Sequence, residues 1–209
     1  EATGTQIHEA FGMSECSTFL SGAPDRPAPE GALGFAQAGR RVAILGPDHR
    51  PVPRGEPGLI AIARTDPGLM LGYLNAPEAT AARMAGDWFL TGDLGSMSDE
   101  GAVTYLGRED DMMTAGGYRV SPLEVETALA GLPGITELAV TELQVREGVR
   151  VIAAFCISAL PLDEAALAQA AAERLARYKQ PRAWIRVETL PRNANGKLRR
   201  RALQDHALS

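Results

Sequence analysis

The chain changes character abruptly at Glu109-Asp110-Asp111, and that break constrains the fold more than any other feature. Before it, short apolar segments at 41–45, 58–63, 88–90 and 102–106 are separated by the turn signals Pro47-Asp48, Arg54-Gly55 and Asp99-Glu100-Gly101. Segments this short and closely spaced read as strands of a small twisted antiparallel or barrel-like sheet. Only 77–84 carries a helical pattern there, while 5–11 reads as a short strand leading into a Gly12-Met13-Ser14-Glu15 turn and a loop rich in Pro and Gly. After the break, helix and strand patterns alternate. Ser121-Pro122-Leu123-Glu124 combines an N-cap, a proline at the first helical position and a capping-box glutamate, predicting a helix over 122–130. Strands are expected at 135–141 and 149–158 around a polar turn at 146–148. A helix over 164–178 would align Leu167, Ala171, Leu175 and Tyr178 on one face, with Lys179-Gln180-Pro181 stopping it. A strand at 184–187 and a helix from Arg199 complete the pattern. The expected fold class is α+β, in two domains, 1–109 and 110–209.

Charge supports the division and limits the partners. Residues 1–109 hold 8 basic and 14 acidic side chains, against 13 and 12 in 110–209. The second half's charges are scattered with few aromatics among them, which argues against a nucleic-acid surface and for a small phosphorylated ligand. Cys16 and Cys156 are the only cysteines and have no metal-ligand or disulfide spacing, so a reducing, cytoplasmic location is expected. The longest apolar run, 151–157, is too short to cross a bilayer, and no charged-then-apolar signal segment opens the chain. Cys16 reads as a small buried residue, His8, His49 and His206 show no ligand spacing, and Arg199-Arg200-Arg201 reads as a solvated helix face. Glu1-Ala2-Thr3-Gly4 resembles the last turn of a helix, suggesting that the chain begins inside a domain.

Five motifs follow in order: Phe11-Gly12-Met13-Ser14-Glu15, Thr91-Gly92-Asp93-Leu94, Gly107-Arg108-Glu109-Asp110-Asp111, Gly117-Tyr118-Arg119-Val120 and Asn195-Gly196-Lys197. Taken together the chain resembles the adenylate-forming superfamily of acyl-CoA synthetases, luciferases and peptide-synthetase adenylation domains. The resemblance implies that 1–109 is the C-terminal part of the large domain, with a β-barrel-like subdomain, and that 110–209 is the small mobile C-terminal domain. It also implies ATP and AMP as nucleotides, Mg²⁺, coenzyme A, and a small carboxylic acid as substrate. A homo-oligomer of the full-length protein stays open.

Read from its residues, Asp93 is either a turn-capping aspartate or a carboxylate able to accept from two ribose hydroxyls; the resemblance implies the second. Arg108 is a surface ion-pair partner or, as the resemblance implies, a second ribose or phosphate contact. Ser14 can meet a phosphate oxygen and Glu15 a hard cation such as Mg²⁺, the roles the family gives these positions, although the family more often has threonine at the first. Phe11, where the family prefers tyrosine, serves either stacking or core packing. Lys197 is a solvated lysine or, by resemblance, the catalytic lysine that stabilises charge building up at phosphorus. Asp110 is a linker acid or the family's hinge. Gly116 and Gly117 make a turn or admit a thin pantetheine arm, and Arg119 is implied to meet a CoA phosphate. Thr114 stands where many relatives carry lysine, so that contact is not carried over. No Gly-rich, Ser/Thr-rich loop ending in lysine appears in these residues, so this chain alone is not expected to catalyse adenylation or to disclose its acid. Transfer to a carrier-protein pantetheine and a non-catalytic nucleotide-binding module are the alternative readings.

Overall fold

The computed structural model describes residues 6–146 and 148–206, with the side chains of 205 and 206 left out. The expected helix end at Glu1-Ala2-Thr3-Gly4 lies outside these residues. The chain forms two compact units, Glu1–Glu109 and Asp110–Ser209.

In the first unit, β1 (Ala10–Met13), β2 (Ser17–Ser21) and β3 (Phe35–Ala36) form an antiparallel sheet in that order. The first strand therefore begins at Ala10, and its hairpin partner occupies residues expected in a loop. Phe19 and Leu20 explain why: both are fully buried, which only a paired strand achieves there. Next come β4 (Val42–Leu45), β5 (Pro57–Ala63), a short helix α1 (Pro77–Ala81), β6 (Met84–Ala85), β7 (Trp88–Met97) and β8 (Val103–Arg108). β5 pairs along one edge of β7, while β6 and β8 share its other edge, at the beginning and end of the strand respectively. All pairings are antiparallel, and β4 and β6 are not joined among the described strands, so the sheet is open rather than a closed barrel. One core, built on Phe19, Leu20, Ile44, Ile60, Ile62 and Val103, joins the two sheets.

The second unit begins with a hairpin, β9 (Met113–Ala115) and β10 (Tyr118–Val120), then α2 (Pro122–Leu129), β11 (Glu137–Arg146), β12 (Val149–Ile157), α3 (Glu164–Arg174), β13 (Ala183–Val187) and α4 (Arg200–His206). β12 is central, antiparallel to β11 and parallel to β13. Its residues point alternately into two cores. Ile152, Ala154 and Cys156 meet Val125 and Leu129 of α2 and Leu167 and Ala171 of α3, whereas Ala153 and Phe155 meet Leu203 of α4. A strand covered on both faces must be apolar throughout, which accounts for the 151–157 run.

Ser121 caps α2 as predicted, its side chain accepting from the Glu124 N–H at 3.3 Å. The Glu124 carboxylate, however, pairs with Lys179. α3 stops at Arg174 rather than at Tyr178. Leu175 turns extended (φ -130°, ψ 141°), which keeps it buried while Tyr178 is 38% exposed in the 3₁₀ turn that follows and rests against Tyr118. Among the described residues no helix is long and apolar enough to cross a membrane.

Candidate functional site

Thr91-Gly92-Asp93 is not a turn at the end of a strand but a bulge within one. Leu59 pairs with Leu94 and Ala61 with Leu90, so these three residues of β7 oppose Ile60 alone. Gly92 sits at φ +77°, which a residue with a side chain adopts only under strain. The Thr91 hydroxyl repairs the broken ladder, donating to Ile60 O at 2.7 Å and accepting from the Asp93 N–H at 3.0 Å. Bulges re-aim side chains, and this one presents Asp93 to its register partner on β8, Arg108. Arg108 Nη1 donates to Asp93 Oδ1 at 3.2 Å and to Thr91 O at 3.3 Å, and the Tyr105 hydroxyl donates to the same carboxylate at 3.4 Å. Asp93 is 6% exposed, so its charge requires such partners. The site's two sequence candidates, 15 residues apart, are thus neighbours across one pair of strands.

Ser14 and Glu15 lie on the turn between β1 and β2, Ser14 exposed and Glu15 half-buried. Phe11, just before them, packs on Phe19 and Tyr105 with ring centroids 5.5 Å away in each case, an arrangement that uses its ring as core. Glu15 Oε1 accepts from the Tyr73 hydroxyl at 2.7 Å, and Glu15 O accepts from the Met70 N–H at 2.6 Å. Burial and then the Glu15 carboxylate hold the Tyr73 phenol above its ordinary pKa, with neighbouring Arg83 opposing them. No group of three or more His, Cys, Asp or Glu side chains gathers among the described residues. A lone carboxylate fits a hard cation that completes its shell with water and phosphate oxygens, such as Mg²⁺, and does not fit a closed zinc site.

The remaining candidates belong to the second unit or to the joint. Asp110 is part of a single 3₁₀ turn, Glu109–Asp111, and is not among the residues with positive φ. It faces Arg201 at 3.8 Å, and Asp111 faces Arg200 at 3.6 Å. Arg200 also pairs with Glu126 and donates to Val140 O at 2.9 Å, so part of the arginine run is a structural tie rather than a solvated face. Gly116 and Gly117 are the two central residues of the β9–β10 hairpin, at φ +57° and +84°, as a type I′ turn demands. A Cβ added at either would meet nothing within 4 Å, so their side is open. Arg119 and Thr114 are exposed register partners on the hairpin. Lys197 is exposed on a tight turn. The Asn193 side chain accepts from the N–H groups of Asn195 at 3.0 Å and Lys197 at 2.9 Å, while Arg192 donates to Gly196 O at 3.0 Å and to Glu137 at 2.7 Å. The turn is thus tied at several points.

Tyr73, Tyr105, Arg83, Asn193 and Arg192 were not singled out in the sequence. Tyr73 and Glu15 are 58 residues apart, and only the fold joins them. Asn193 did carry a local signal, since an Asx residue two and four positions before Asn195 and Lys197 is placed to cap a turn.

The AMP-binding enzyme family model matches residues 1–74, and the model of the AMP-binding enzyme C-terminal domain matches 124–197. The chain is 33% identical over 213 residues to the mitochondrial acyl-coenzyme A synthetase ACSM5 of Mus musculus, an alignment covering 97% of this chain and 37% of that protein. ATP-bound MatB from Rhodopseudomonas palustris superposes with a TM-score of 0.89 at 31% identity, over 98% of this chain and 41% of MatB. The o-succinylbenzoate coenzyme A synthetase MenE of Bacillus subtilis, in complex with ATP and magnesium ion, does so with 0.82 at 30% identity, over 95% and 41%. The chain spans about two fifths of the length of these relatives. With one family model matched in each unit, in the same order as the motifs, the chain belongs to the adenylate-forming superfamily of AMP-binding enzymes.

Proposed function

We propose that the intact protein is an AMP-forming acyl- or aryl-CoA synthetase. A carboxylate oxygen attacks the α-phosphorus of ATP and pyrophosphate leaves; the CoA thiol then attacks the acyl carbon of the adenylate, loses its proton and expels AMP. The observation that carries this reading is the Asp93–Arg108 pair, held by the bulge of β7 and by Tyr105. A buried carboxylate with a fixed orientation suits recognition of adjacent ribose hydroxyls, and the guanidinium beside it suits a ribose or phosphate oxygen. Ser14 would contact the α-phosphate and Glu15 would hold Mg²⁺, which neutralises phosphate charge when bound.

In the second unit, the exposed ammonium of Lys197 would stabilise the charge that accumulates at phosphorus during adenylation. Asp110 would act as the hinge of the small domain. Gly116 and Gly117 would leave room for pantetheine, and Arg119 would meet a CoA phosphate. Two buried, unpaired cysteines suit a reducing compartment, for which the cytoplasm is our reading.

The test is carboxylate-dependent exchange of pyrophosphate into ATP, and CoA-dependent release of AMP, by the full-length protein. Both are expected, and neither from this chain alone. Absence of exchange with a broad panel of aliphatic and aromatic acids would overturn the reading. Asp110→Pro, which fixes φ near about -65°, should impair one half-reaction far more than the other; equal loss of both in a folded protein would remove the hinge role.

A further inference from the structure

Glu15 is held through its main chain and its side chain, and the carbonyl that follows it is held as well. On its main chain, the Met70 N–H donates to Glu15 O at 2.6 Å, and Arg40 Nη1 donates to the next carbonyl, Cys16 O, at 3.2 Å. On its side chain, the Tyr73 hydroxyl donates to Oε1 at 2.7 Å. The segment that supplies Met70 and Tyr73 is itself anchored at both ends. At its start, Asp66 has a side chain with no exposure, pairs with Arg40 and accepts from the Gly68 N–H at 2.8 Å. At its end, the Thr80 hydroxyl of α1 accepts from the Tyr73 N–H at 2.9 Å while donating to Ala76 O at 3.1 Å. Arg83, C-terminal to α1, borders the Tyr73 phenol on one side. On the other it reaches the Thr91-Gly92-Asp93 bulge, where a Cβ on Gly92 would lie 2.8 Å from its Nη1.

This is more fixation than a half-buried surface carboxylate requires for stability. A half-buried glutamate on a turn ordinarily samples several rotamers, and the Tyr73 bond that restrains this one removes side-chain entropy with no packing gain in return. A carboxylate that must meet a cation in one orientation gains from such restraint, because ligating carboxylates are themselves oriented by hydrogen bonds from residues behind them. One oxygen engaged by a neutral donor leaves the other for a ligand. The phenol suits that task, since it stays protonated at neutral pH and brings no competing charge.

We infer that Tyr73 is a positioning residue for Glu15, holding its carboxylate in the orientation that receives a divalent cation bound to nucleotide phosphate. The inference rests on the metal role proposed above for Glu15. It assigns Tyr73 an effect on metal requirement and not on nucleotide recognition itself, which remains with Asp93 and Arg108.

The experiment uses the full-length protein with Tyr73→Phe, Glu15→Gln and the double variant. Two quantities are measured: the Mg²⁺ concentration giving half-maximal pyrophosphate exchange, and the calorimetric affinity for ATP in Mg²⁺ and in EDTA. Tyr73→Phe keeps the ring and should raise the Mg²⁺ requirement about fivefold, the net scale of one ordinary intramolecular hydrogen bond. It should weaken ATP binding in Mg²⁺ but not in EDTA, and the change in metal requirement should exceed that in rate at saturating metal. The double variant should be no worse than Glu15→Gln, because a residue acting through Glu15 has nothing to add once its charge is gone. Tyr73→Phe without effect while Glu15→Gln raises the requirement overturns the inference and leaves the metal role of Glu15 standing. Additive effects in the double variant also overturn it. Glu15→Gln without effect on either measurement removes the metal role, and the inference with it.

Discussion

Asp93 in the first unit is 6% exposed, opposed across the sheet by Arg108 and bonded by Tyr105, whereas Lys197 in the second is exposed and has only its backbone tied down. A carboxylate that recognises hydroxyl groups gains from low mobility and fixed lone pairs, and burial within a bulged strand provides both. A cation that must meet charge only as it develops needs a long, unpaired side chain on a well-placed backbone. Under the proposed roles, substitution of Asp93 should affect folding and ligand binding together, while substitution of the Lys197 side chain should affect chemistry alone.

The largest expected effect is that of Lys197→Ala in the full-length protein. Pyrophosphate exchange should fall by about a hundredfold or more, the worth of one well-placed charge in a transition state, while urea stability changes by less than about 0.5 kcal/mol, as for other exposed positions. Full exchange activity would remove Lys197 from the mechanism, and a large stability loss would break the contrast itself.

Asp93→Ala tests the other side. It leaves Arg108 without its register partner and should destabilise this chain by about 1–3 kcal/mol in urea unfolding, allowing for the partial exposure of the guanidinium. A neutral effect on stability would show that the carboxylate is held for ligand binding only.

Gly117→Ala should cost about 1 kcal/mol, all of it conformational, since its φ is +84° and a new Cβ meets nothing within 4 Å. Gly117→Asn should cost less, because asparagine tolerates this region better; equal costs would point to a steric or hydration cause instead.

The smallest effect concerns Lys179 and Glu124, a pair in which the glutamate is exposed and the lysine partly buried. Glu124→Gln should cost less than about 0.5 kcal/mol at neutral pH. The Glu124 hydrogen bond raises the Lys179 pKa, with burial opposing it, so the contribution is complete below the unfolded lysine pKa and is lost as pH rises through the folded value. The difference between the two proteins should therefore shrink on the alkaline side. A difference that grows there would reverse the assignment.

Local chemistry made some elements legible in advance. Ser121-Pro122 announced the start of α2 because caps act within one turn of their own residue, and the strand at 149–158 was legible as a strand, whereas its cover on both faces emerged only from the packing. The end of α3 was not legible. A helix to Tyr178 and one to Arg174 share the same apolar spacing, and the burial of Leu175 against a neighbouring layer decided between them. β7 was read only as far as Leu90, because Gly92 looks like the end of a strand until the Thr91 hydroxyl is seen to mend the ladder.

The sequence by itself determined the two-part organisation, the α+β class and the order of the five motifs, since periodicity, turn residues and short motifs are properties of contiguous residues. Tertiary structure alone decided which groups meet: Asp93 with Arg108 and Tyr105, Glu15 with Tyr73, and Arg200 with Glu126 and Asp111. Those partners are separated by 12 to 74 residues in all but the last case and by more still in Arg200–Asp111, so no local pattern encodes them. The pairing of β7 with β8 fixes Asp93 against Arg108 and Tyr105, while the others are fixed by how loops and helices pack within each unit.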